Sequence, residues 1–189
     1  MRRGAKIVDL DGTLVRCNSF SRYVMRMVWH HPLIGVYVLV RKLRLISHAR
    51  AKELIMSVHV DDAEVTAFVD ELVGYVRREL LTDEATDEVV VLASAAPARY
   101  VGELAHRLGI PYYVATQPGC AENKGDVKLR NVMRLLEEHD LCIRSVITDH
   151  MDDLPLLEAN RNGRNILVAP SRRTLDALQA SGLVFSCHF

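Results

Sequence analysis

The most informative stretch of the sequence is Lys6-Ile7-Val8-Asp9-Leu10-Asp11-Gly12-Thr13. Its apolar beginning is typical of a buried β-strand, and the acids and glycine that follow indicate a turn with polar chemistry at the strand's carboxyl end. Residues two apart in an extended chain point the same way, so Asp9 and Asp11 are predicted to face one site. Neighbouring carboxylates are tolerated when a cation lies beside them or when one keeps a proton. The stretch therefore predicts an ionised aspartate as nucleophile or metal ligand, beside a second aspartate acting as acid and base.

Further β-strands are predicted downstream, separated by helices. They are expected at residues 88–93, 112–116, 144–148 and 165–169, with residues 183–189 as either a final strand or a loose tail. Strands that alternate with helices of this length predict a doubly wound parallel α/β sheet. Ligands bind such sheets beyond the carboxyl ends of the strands. Asp9, Ser94 and Asp149 each follow a predicted strand, so we expect them to converge on one crevice.

The segment between the first and second strands is predicted to be helical. Apolar residues recur three and four apart from about residue 20 to residue 81, and Asp61 or Asp62 fits a helix N-cap. The segment is too long for a simple crossover between strands. The chain is therefore predicted to consist of an α/β core domain, residues 1–15 and 86–189, and a small helical cap subdomain, residues 16–85, that covers the crevice.

Composition narrows the class of protein. Lys plus Arg equal Asp plus Glu at 24 each, so no overall charge favours nucleic acid or an anionic membrane as partner. The four cysteines form no C-x-x-C pair, which argues against a zinc site or a disulfide framework and favours a cytoplasmic location. The longest apolar segment, residues 24–46, has an uncharged part at 32–40. That part is shorter than the roughly 20 residues of a membrane-spanning helix, so no transmembrane segment is predicted.

More polar chemistry follows the later strands. Asp149-His150-Met151-Asp152-Asp153 supplies carboxylates after the fourth strand, and all-oxygen ligation suits Mg²⁺ better than zinc. Lys124 offers a cation, and Ser94 offers a hydroxyl near the backbone N–H groups of a helix start. Both suit the oxygens of a phosphate group. Together these residues predict a site for phosphoryl chemistry.

Four motifs, in order, resemble the signatures of the haloacid dehalogenase superfamily of aspartyl-nucleophile phosphatases. They are Val8-Asp9-Leu10-Asp11-Gly12-Thr13-Leu14-Val15, Leu92-Ala93-Ser94, Asn123-Lys124-Gly125 and Thr148-Asp149-His150-Met151-Asp152-Asp153-Leu154-Pro155-Leu156-Leu157. The resemblance covers roughly residues 6–170. The helical insertion after the first motif is similar to the cap of the phosphoserine-phosphatase-like branch. The fourth motif departs from the family's frequent Gly-Asp-Ser beginning, but its acids are intact.

The resemblance implies a Mg²⁺-dependent phosphatase that hydrolyses a phosphomonoester through an aspartyl-phosphate. Asp9 would be the nucleophile, and Asp11 would protonate the leaving oxygen and then activate water. The implied metal ligands are Asp9, the backbone carbonyl of Asp11 and Asp149, with Asp153 either as an outer ligand or as the residue that orients metal-bound water. The fold implied is the α/β core of this superfamily.

Two residues are implied to bind the phosphoryl group of a small phosphorylated substrate. Ser94 would hold its oxygens, and Lys124 would neutralise charge on the group and on Asp9. The basic run Arg41-Lys42-Leu43-Arg44, beside an apolar stretch, would also suit a lipid phosphate. A packed cap helix with a basic rim is the simpler interpretation. Cap arginines are further candidates for substrate contact, and the sequence does not choose among them: Arg22, Arg26 and Arg50.

Three alternatives stay open at this point. The fold also serves phosphotransferases, which pass the phosphoryl group to an acceptor other than water. A non-catalytic binding or regulatory relative would keep the fold without turnover, although the intact acids and Lys124 argue against it. A phospho-accepting signalling receiver shares the sheet and the acid-plus-lysine chemistry, but it would not carry a long helical insertion after the first strand.

Overall fold

A computed structural model describes residues 2–82 and 87–188. Its described strands form one six-stranded sheet in the order β3-β2-β1-β4-β5-β6, and every neighbouring pair is parallel. The strands are β1 (Arg3–Val8), β2 (Val89–Pro97), β3 (Tyr112–Thr116), β4 (Leu141–Thr148), β5 (Arg164–Val168) and β6 (Ser186–His188). The predicted doubly wound parallel α/β sheet is confirmed, and the chain's end forms an edge strand.

Helices connect these strands and cover the sheet. Within the described residues they are α1 (Ser19–Met27), α2 (Pro32–Lys42), α3 (His48–Ser57), α4 (Asp62–Val73), α5 (Ala98–Arg107), α6 (Asp126–Glu138), α7 (Leu154–Ala159) and α8 (Arg172–Ala180). Helices α1 to α4 all lie between β1 and β2, as the apolar periodicity predicts. None of the described helices is both long and apolar enough to cross a membrane.

The carboxyl end of β1 lies at the centre of the sheet. Val8 pairs with Leu92 of β2 on one side and with Ile147 of β4 on the other. Because the strand order reverses direction here, the helices that follow β1 and β4 leave a crevice between them. The residues after β1, β2 and β4 are therefore brought together at one edge.

Alternate residues of each strand belong to different hydrophobic clusters on the two faces of the sheet. Val8 packs with α5 and with residues of the inserted helices, whereas Ile7 packs with α6, α7 and α8. Three rings with centroids 5.2 to 5.3 Å apart connect α1, α4 and α5: Tyr23, Phe68 and Tyr100. The inserted helices thus share a core with the sheet.

The inserted segment has well-defined helix starts. The N-cap of α4 is Asp61, and a capping box joins it to Glu64, whose side chain accepts a hydrogen bond from the Asp61 N–H at 3.4 Å. The division into a core, residues 1–15 and 86–189, and a cap, residues 16–85, stays a prediction. Its second boundary, between residues 85 and 86, lies outside the described residues.

Candidate active site

All of the site residues predicted from the sequence line one cavity of about 310 Å³: Asp9, Asp11, Ser94, Lys124, Asp149 and Asp153. Asp9 and Asp11 follow β1, and Asp149 and Asp153 follow β4. Ser94 lies within β2, which continues to Pro97 with a shift of register after Ala93. The parallel topology therefore assembles at one edge residues that are far apart in the sequence.

Asp9 is held firmly at the base of the cavity. Its N–H donates to the carbonyl of Ile147 at 2.9 Å, and its Oδ1 accepts a hydrogen bond from Lys128 Nζ at 2.8 Å. Burial raises the pKa of Asp9 to about 7, and the nearby Asp153 and Asp149 add to this, although Lys128 opposes it. The second carboxylate oxygen of Asp9 is not engaged by Lys128.

Lys128 is a buried cation between two carboxylates. Its Nζ lies 2.8 Å from Asp9 Oδ1 and 2.6 Å from Asp153 Oδ1. Burial alone would lower the pKa of Lys128, but Asp9 and Asp153 together outweigh burial, and the net shift is upward. Asp153 is held in turn by Thr148, whose Oγ1 donates to Asp153 Oδ2 at 2.8 Å. Lys128 therefore stays charged beside Asp9.

The contact with Asp9 that was expected of Lys124 is made by Lys128 instead. Lys124 precedes α6, and its side chain is 49% exposed with its Nζ 2.7 Å from Asp152 Oδ2. The motifs did not identify Lys128, but the apolar periodicity of α6 indicates that this lysine is buried. Lys128, Val132 and Leu136 recur four apart and form the buried stripe of α6. A lysine in such a stripe must find buried acids.

Asp11 lies at the start of the inserted helices. Its Oδ1 accepts a hydrogen bond from the N–H of Ser19, the first residue of α1, at 2.7 Å. Burial raises the pKa of Asp11 and the hydrogen bonds with Ser19 lower it, with an upward net shift. The carboxyl group is thus oriented by the helix and retains a proton more readily than a solvated aspartate.

The turn after β1 is shaped by a glycine and clamped by an arginine. Gly12 has a φ of +78°, and a Cβ there would lie 2.2 Å from Asp149 Oδ2. Thr13 Oγ1 donates to Asp149 Oδ1 at 3.3 Å. Arg77 Nη1 donates to the carbonyls of Gly12 at 2.6 Å and Thr13 at 2.5 Å. Sequence reasoning missed Arg77, since no local pattern connects it to a turn more than sixty residues earlier.

Ser94 is buried, and its carbonyl and hydroxyl are both anchored. Its Oγ accepts a hydrogen bond from the N–H of Ala96 at 3.0 Å, and its carbonyl accepts one from Asn123 Nδ2 at 2.9 Å. The N–H of Asn123 donates to Thr116 Oγ1 at 3.0 Å. Asn123, from the predicted third motif, thus fastens the carboxyl ends of β2 and β3 together.

The inserted helices form the opposite wall of the cavity. They contribute Asn18, Phe20, Ser21, His48 and Lys52. Lys52 is 7% exposed; its Nζ donates to the carbonyl of Ala95 at 2.8 Å and forms an ion pair with Glu122. The arginines suggested by the sequence pair elsewhere, Arg22 and Arg26 with Glu71, and Arg50 with Glu53. Lys52 is therefore the cation that this wall brings to the cavity.

His150 and Asp152 complete the rim of the cavity. His150 Nδ1 accepts a hydrogen bond from the N–H of Asp152 at 3.2 Å. This bond caps the short helical turn that places Asp153 beside Lys128. His150 thus has the local hydrogen-bonding role that is usual for a histidine at a helix start.

The acids of the cavity outnumber its cations. Six acids line it, Asp9, Asp11, Glu122, Asp149, Asp152 and Asp153, against three lysines, Lys52, Lys124 and Lys128. Burial also raises the pKa of Asp149. In the part of the chain that the structure describes, no three Asp, Glu, His or Cys side chains group as metal ligands. Mg²⁺ needs only one or two carboxylates besides water and phosphate, so this excess of acids over cations fits that ion.

Comparison of this chain with known proteins assigns it to a family. The model of the haloacid dehalogenase-like hydrolases matches residues 7–158. A protein of unknown function from Bordetella pertussis Tohama I is 18% identical with a TM-score of 0.75, over 98% of this chain and 99% of that one. A phosphoserine phosphohydrolase-like protein from Francisella tularensis is 16% identical with a TM-score of 0.63, over 98% and 94% of the two chains.

A phosphoserine phosphatase solved as a phospho-aspartyl intermediate analogue is 12% identical with a TM-score of 0.58, over 99% of this chain and 94% of that one. No curated protein matches the sequence. Identities this low establish a shared fold, and the family match covers most of the chain. The predicted resemblance to the superfamily is confirmed, and the chain belongs to the haloacid dehalogenase-like hydrolases. Its fold is shared with the two phosphoserine-phosphatase-like structures.

Proposed function

We propose that this hydrolase is a Mg²⁺-dependent phosphatase that cleaves a phosphomonoester through an aspartyl-phosphate at Asp9. The observation that carries the proposal is the pairing of Asp9 with the buried ammonium of Lys128, in a cavity that Asp11 and Ser94 also line. The shared fold with a phosphoserine phosphatase solved as a phospho-aspartyl intermediate analogue supports it.

In the first step, the free oxygen of Asp9 attacks phosphorus, and the bond from phosphorus to the ester oxygen breaks. Lys128 holds the other oxygen of Asp9, so the nucleophile keeps a single orientation. Asp11 gives its proton to the leaving oxygen. The raised pKa of Asp11 suits this role, because the group must be protonated when the substrate arrives.

In the second step, water attacks the phosphorus of the aspartyl-phosphate. Asp11, now ionised, takes a proton from that water, and the bond between phosphorus and the Asp9 oxygen breaks. Inorganic phosphate leaves and the Asp9 carboxylate is restored. The N–H of Ser19 keeps Asp11 in place through both steps, since it binds one carboxylate oxygen and leaves the other to exchange the proton.

Mg²⁺ would be held by Asp9, Asp149 and the backbone carbonyl of Asp11. When bound, it would supply positive charge that favours the ionised form of Asp9 and offsets charge on the phosphoryl oxygens. Asp153 suits an outer role, because one of its oxygens pairs with Lys128 and the other accepts from Thr148. The excess of acids in the cavity supports this assignment.

Ser94 and Lys128 would stabilise the phosphoryl group during transfer. Ser94 Oγ accepts from Ala96, so its own proton is available for a phosphate oxygen. We assign the charge-neutralising role to Lys128 because it contacts Asp9. Lys124 keeps a proposed substrate-binding role at the rim, where its half-exposed ammonium lines the same cavity.

The leaving group would face the wall formed by the inserted helices. Phe20, Ser21, His48 and Lys52 offer an apolar ring, a hydroxyl, an imidazole and a cation. A cavity of about 310 Å³ suits a small phosphorylated molecule. A cytoplasmic location and a cap at residues 16–85 accord with this proposal and remain predictions.

The test measures phosphate release from a panel of phosphomonoesters by the native chain with Mg²⁺ or with chelator. Quenching in acid and mass spectrometry of the peptide around Asp9 detects the phosphoryl adduct. We expect Mg²⁺-dependent release and an adduct at Asp9, and loss of both in Asp9→Asn by at least about 10⁴-fold in rate. Asp176→Asn, an exposed acid on α8, is the matched control and should retain full activity.

The outcomes separate the alternatives. An adduct at Asp9 that persists until an acceptor alcohol is added would indicate a phosphotransferase. A folded protein that forms no adduct with any member of the panel would favour the non-catalytic interpretation. Equal turnover by the native chain and Asp9→Asn would remove Asp9 as the nucleophile.

A further inference from the structure

Helix α2 and the turns beside it expose an apolar surface. We define the apolar stripe as Trp29, Leu33, Val36, Leu39 and Leu43, which are between 50% and 85% exposed. Met25 and Leu45, each 71% exposed, flank it in the sequence. Single exposed apolar residues are ordinary, but a contiguous group of this size marks an interaction surface.

The stripe follows the geometry of one helix face. Leu33, Val36 and Leu43 recur at intervals of three and seven residues, so they lie on the same side of α2. Ile34 is fully buried and packs into the core cluster, which fixes how the helix is turned. The stripe is therefore presented to the outside by a helix that is itself anchored.

The segment of sequence that carries the stripe holds only positive charges. No Asp or Glu occurs between Asp11 and Glu53, whereas eight Lys and Arg residues do, in a chain whose total charges balance. Three of these cations follow the stripe at the end of α2: Arg41, Lys42 and Arg44. Within the described residues they form no ion pair, unlike Arg22 and Arg26, which pair with Glu71. The surface thus combines exposed apolar groups with uncompensated positive charge.

We propose that the apolar stripe and the cations Arg41, Lys42 and Arg44 dock this protein on the surface of an anionic lipid membrane. Such a surface accepts both components, because apolar side chains enter the boundary of the acyl chains while Lys and Arg contact the anionic headgroups. With 11 residues, α2 is too short to span a bilayer and lies in the interface plane. A second copy is a poorer occupant, because its stripe would cover the apolar side chains but residues 12–52 contain no acid that could pair with the cations.

Helix α3 connects the docking surface to the cavity. The next helix, α3, packs on α2, and two of its residues, His48 and Lys52, line the wall of the cavity. Binding to a membrane would therefore hold that wall close to the lipid surface. The proposal stands apart from catalysis, since none of the stripe residues or the three cations lines the cavity.

Trp29 provides a direct probe, because it is the single tryptophan of the chain and belongs to the stripe. The experiment measures sedimentation and tryptophan emission of the full chain with vesicles of phosphatidylcholine, with or without phosphatidylglycerol. We expect sedimentation and a blue shift of the emission with anionic vesicles alone, both weakened by salt.

Two variants separate the charge from the apolar contribution. Arg41→Gln/Lys42→Gln/Arg44→Gln should weaken binding to anionic vesicles about 100-fold. Leu33→Ser/Leu43→Ser should also weaken it and reduce the blue shift. The matched controls change exposed residues elsewhere and should bind as the native chain does: Arg130→Gln/Arg134→Gln/Arg172→Gln for charge and Val184→Ser for the apolar change.

Other results would overturn the proposal. Folded native protein that stays in the supernatant with anionic vesicles at low salt would exclude membrane docking. Sedimentation without any change in Trp29 emission would place the lipid contact on another surface. A dimer that forms without lipid and is lost in Leu33→Ser/Leu43→Ser would assign the stripe to a second copy. Binding to poly-L-glutamate in place of vesicles would assign it to an acidic protein.

Discussion

Charged side chains are usually exposed and apolar ones buried in a folded protein. The carboxyl edge of the sheet buries charges, whereas helix α2 exposes apolar side chains. At the sheet edge, Lys128 and Asp153 are charged but only 4% exposed. On α2, Leu33 and Leu39 are apolar but more than half exposed. Each arrangement is less favourable for an isolated domain than its reverse. Both regions are therefore better explained by what they bind than by what stabilises the fold.

The two regions also differ in how their charges are compensated. The buried charges of the sheet edge are paired at hydrogen-bonding distances, as Lys128 is with Asp9. The cations at the end of α2 have no acid partner within the described residues, although solvent reaches them. A buried charge must be neutralised inside the protein, whereas an exposed charge is stabilised by water and remains available to an external partner.

The largest effect is expected from Lys128→Met, compared with Lys124→Met. Removing the buried ammonium should lower kcat by about 10²- to 10³-fold, since Asp9 and the phosphoryl group lose a preorganised charge. It should also destabilise the protein by about 3–5 kcal/mol, because buried carboxylates are left unpaired. Lys124→Met should change kcat by less than about threefold, since an exposed ion pair contributes little. Steady-state kinetics measure kcat and thermal melts measure stability for both variants. An equal loss of kcat in Lys128→Met and Lys124→Met would contradict the role assigned to Lys128.

A smaller loss is expected from Gly12→Ala. The added Cβ would meet Asp149 Oδ2 at 2.2 Å in a residue whose φ is +78°, so Asp149 or the turn must move. We expect kcat to fall by about 10²-fold through misplacement of the site residues. Gly109→Ala is the matched control, because it shares a positive φ but has nothing within 4 Å of its Cβ. It should be destabilised without a comparable loss of kcat, and a loss as large as that of Gly12→Ala would remove the steric explanation.

A moderate, pH-dependent effect on stability is expected at Asp9. The pKa of Asp9 is about 7 in the folded protein and 3.8 without burial, so the folded state binds the extra proton more tightly. Ionisation of Asp9 therefore reduces the stability of the metal-free protein as the pH rises from about 4 to about 7. Asp9→Asn, which lacks this ionisation, should melt near the native Tm at the lower pH and about 10 °C above it beyond pH 7.

Thermal melts in chelator across this pH range measure the difference. Added Mg²⁺ should raise the Tm of the native protein more at the higher pH, because the ion competes with the proton for Asp9. A difference in Tm that does not vary with pH would contradict the raised pKa.

The smallest effects are expected when one region is changed and the other is measured. The triple glutamine variant at Arg41, Lys42 and Arg44 should keep kcat toward a water-soluble phosphomonoester within about twofold, because these residues lie outside the cavity. Asp9→Asn should bind anionic vesicles as the native chain does. A change in both readouts from either variant would show that the two regions are coupled.

Much of the fold follows from local patterns. Strand β3 has the bounds that the sequence predicts, and the other strands differ by a few residues at their ends. The prediction that β2 ends before Ser94 was wrong, because β2 continues to Pro97 after a register shift that pairs Pro97 with Thr116. That pairing depends on β3, which lies outside any local window.

The kinds of chemistry at the site, and their order along the chain, follow from the amino-acid sequence alone. An apolar run that ends in Asp9 and Asp11, and later acids after another strand, are sufficient to predict a phosphoryl site at the edge of a parallel sheet. The prediction is possible because alternating strands and helices bring the carboxyl ends of parallel strands together, independently of the loop conformations.

Which side chains face the site and which face outward depends on contacts between distant segments of the chain. Lys124 and Lys128 are about one helical turn apart in the sequence. Which of them contacts Asp9 depends on where α6 begins, and Asp9 lies 119 residues before Lys128 in the sequence. The same holds for α2, which is apolar nearly all round, so its periodicity does not reveal that Ile34 packs inward while Leu33 is exposed. Local patterns set secondary structure, but contacts between distant segments set the orientation of each helix.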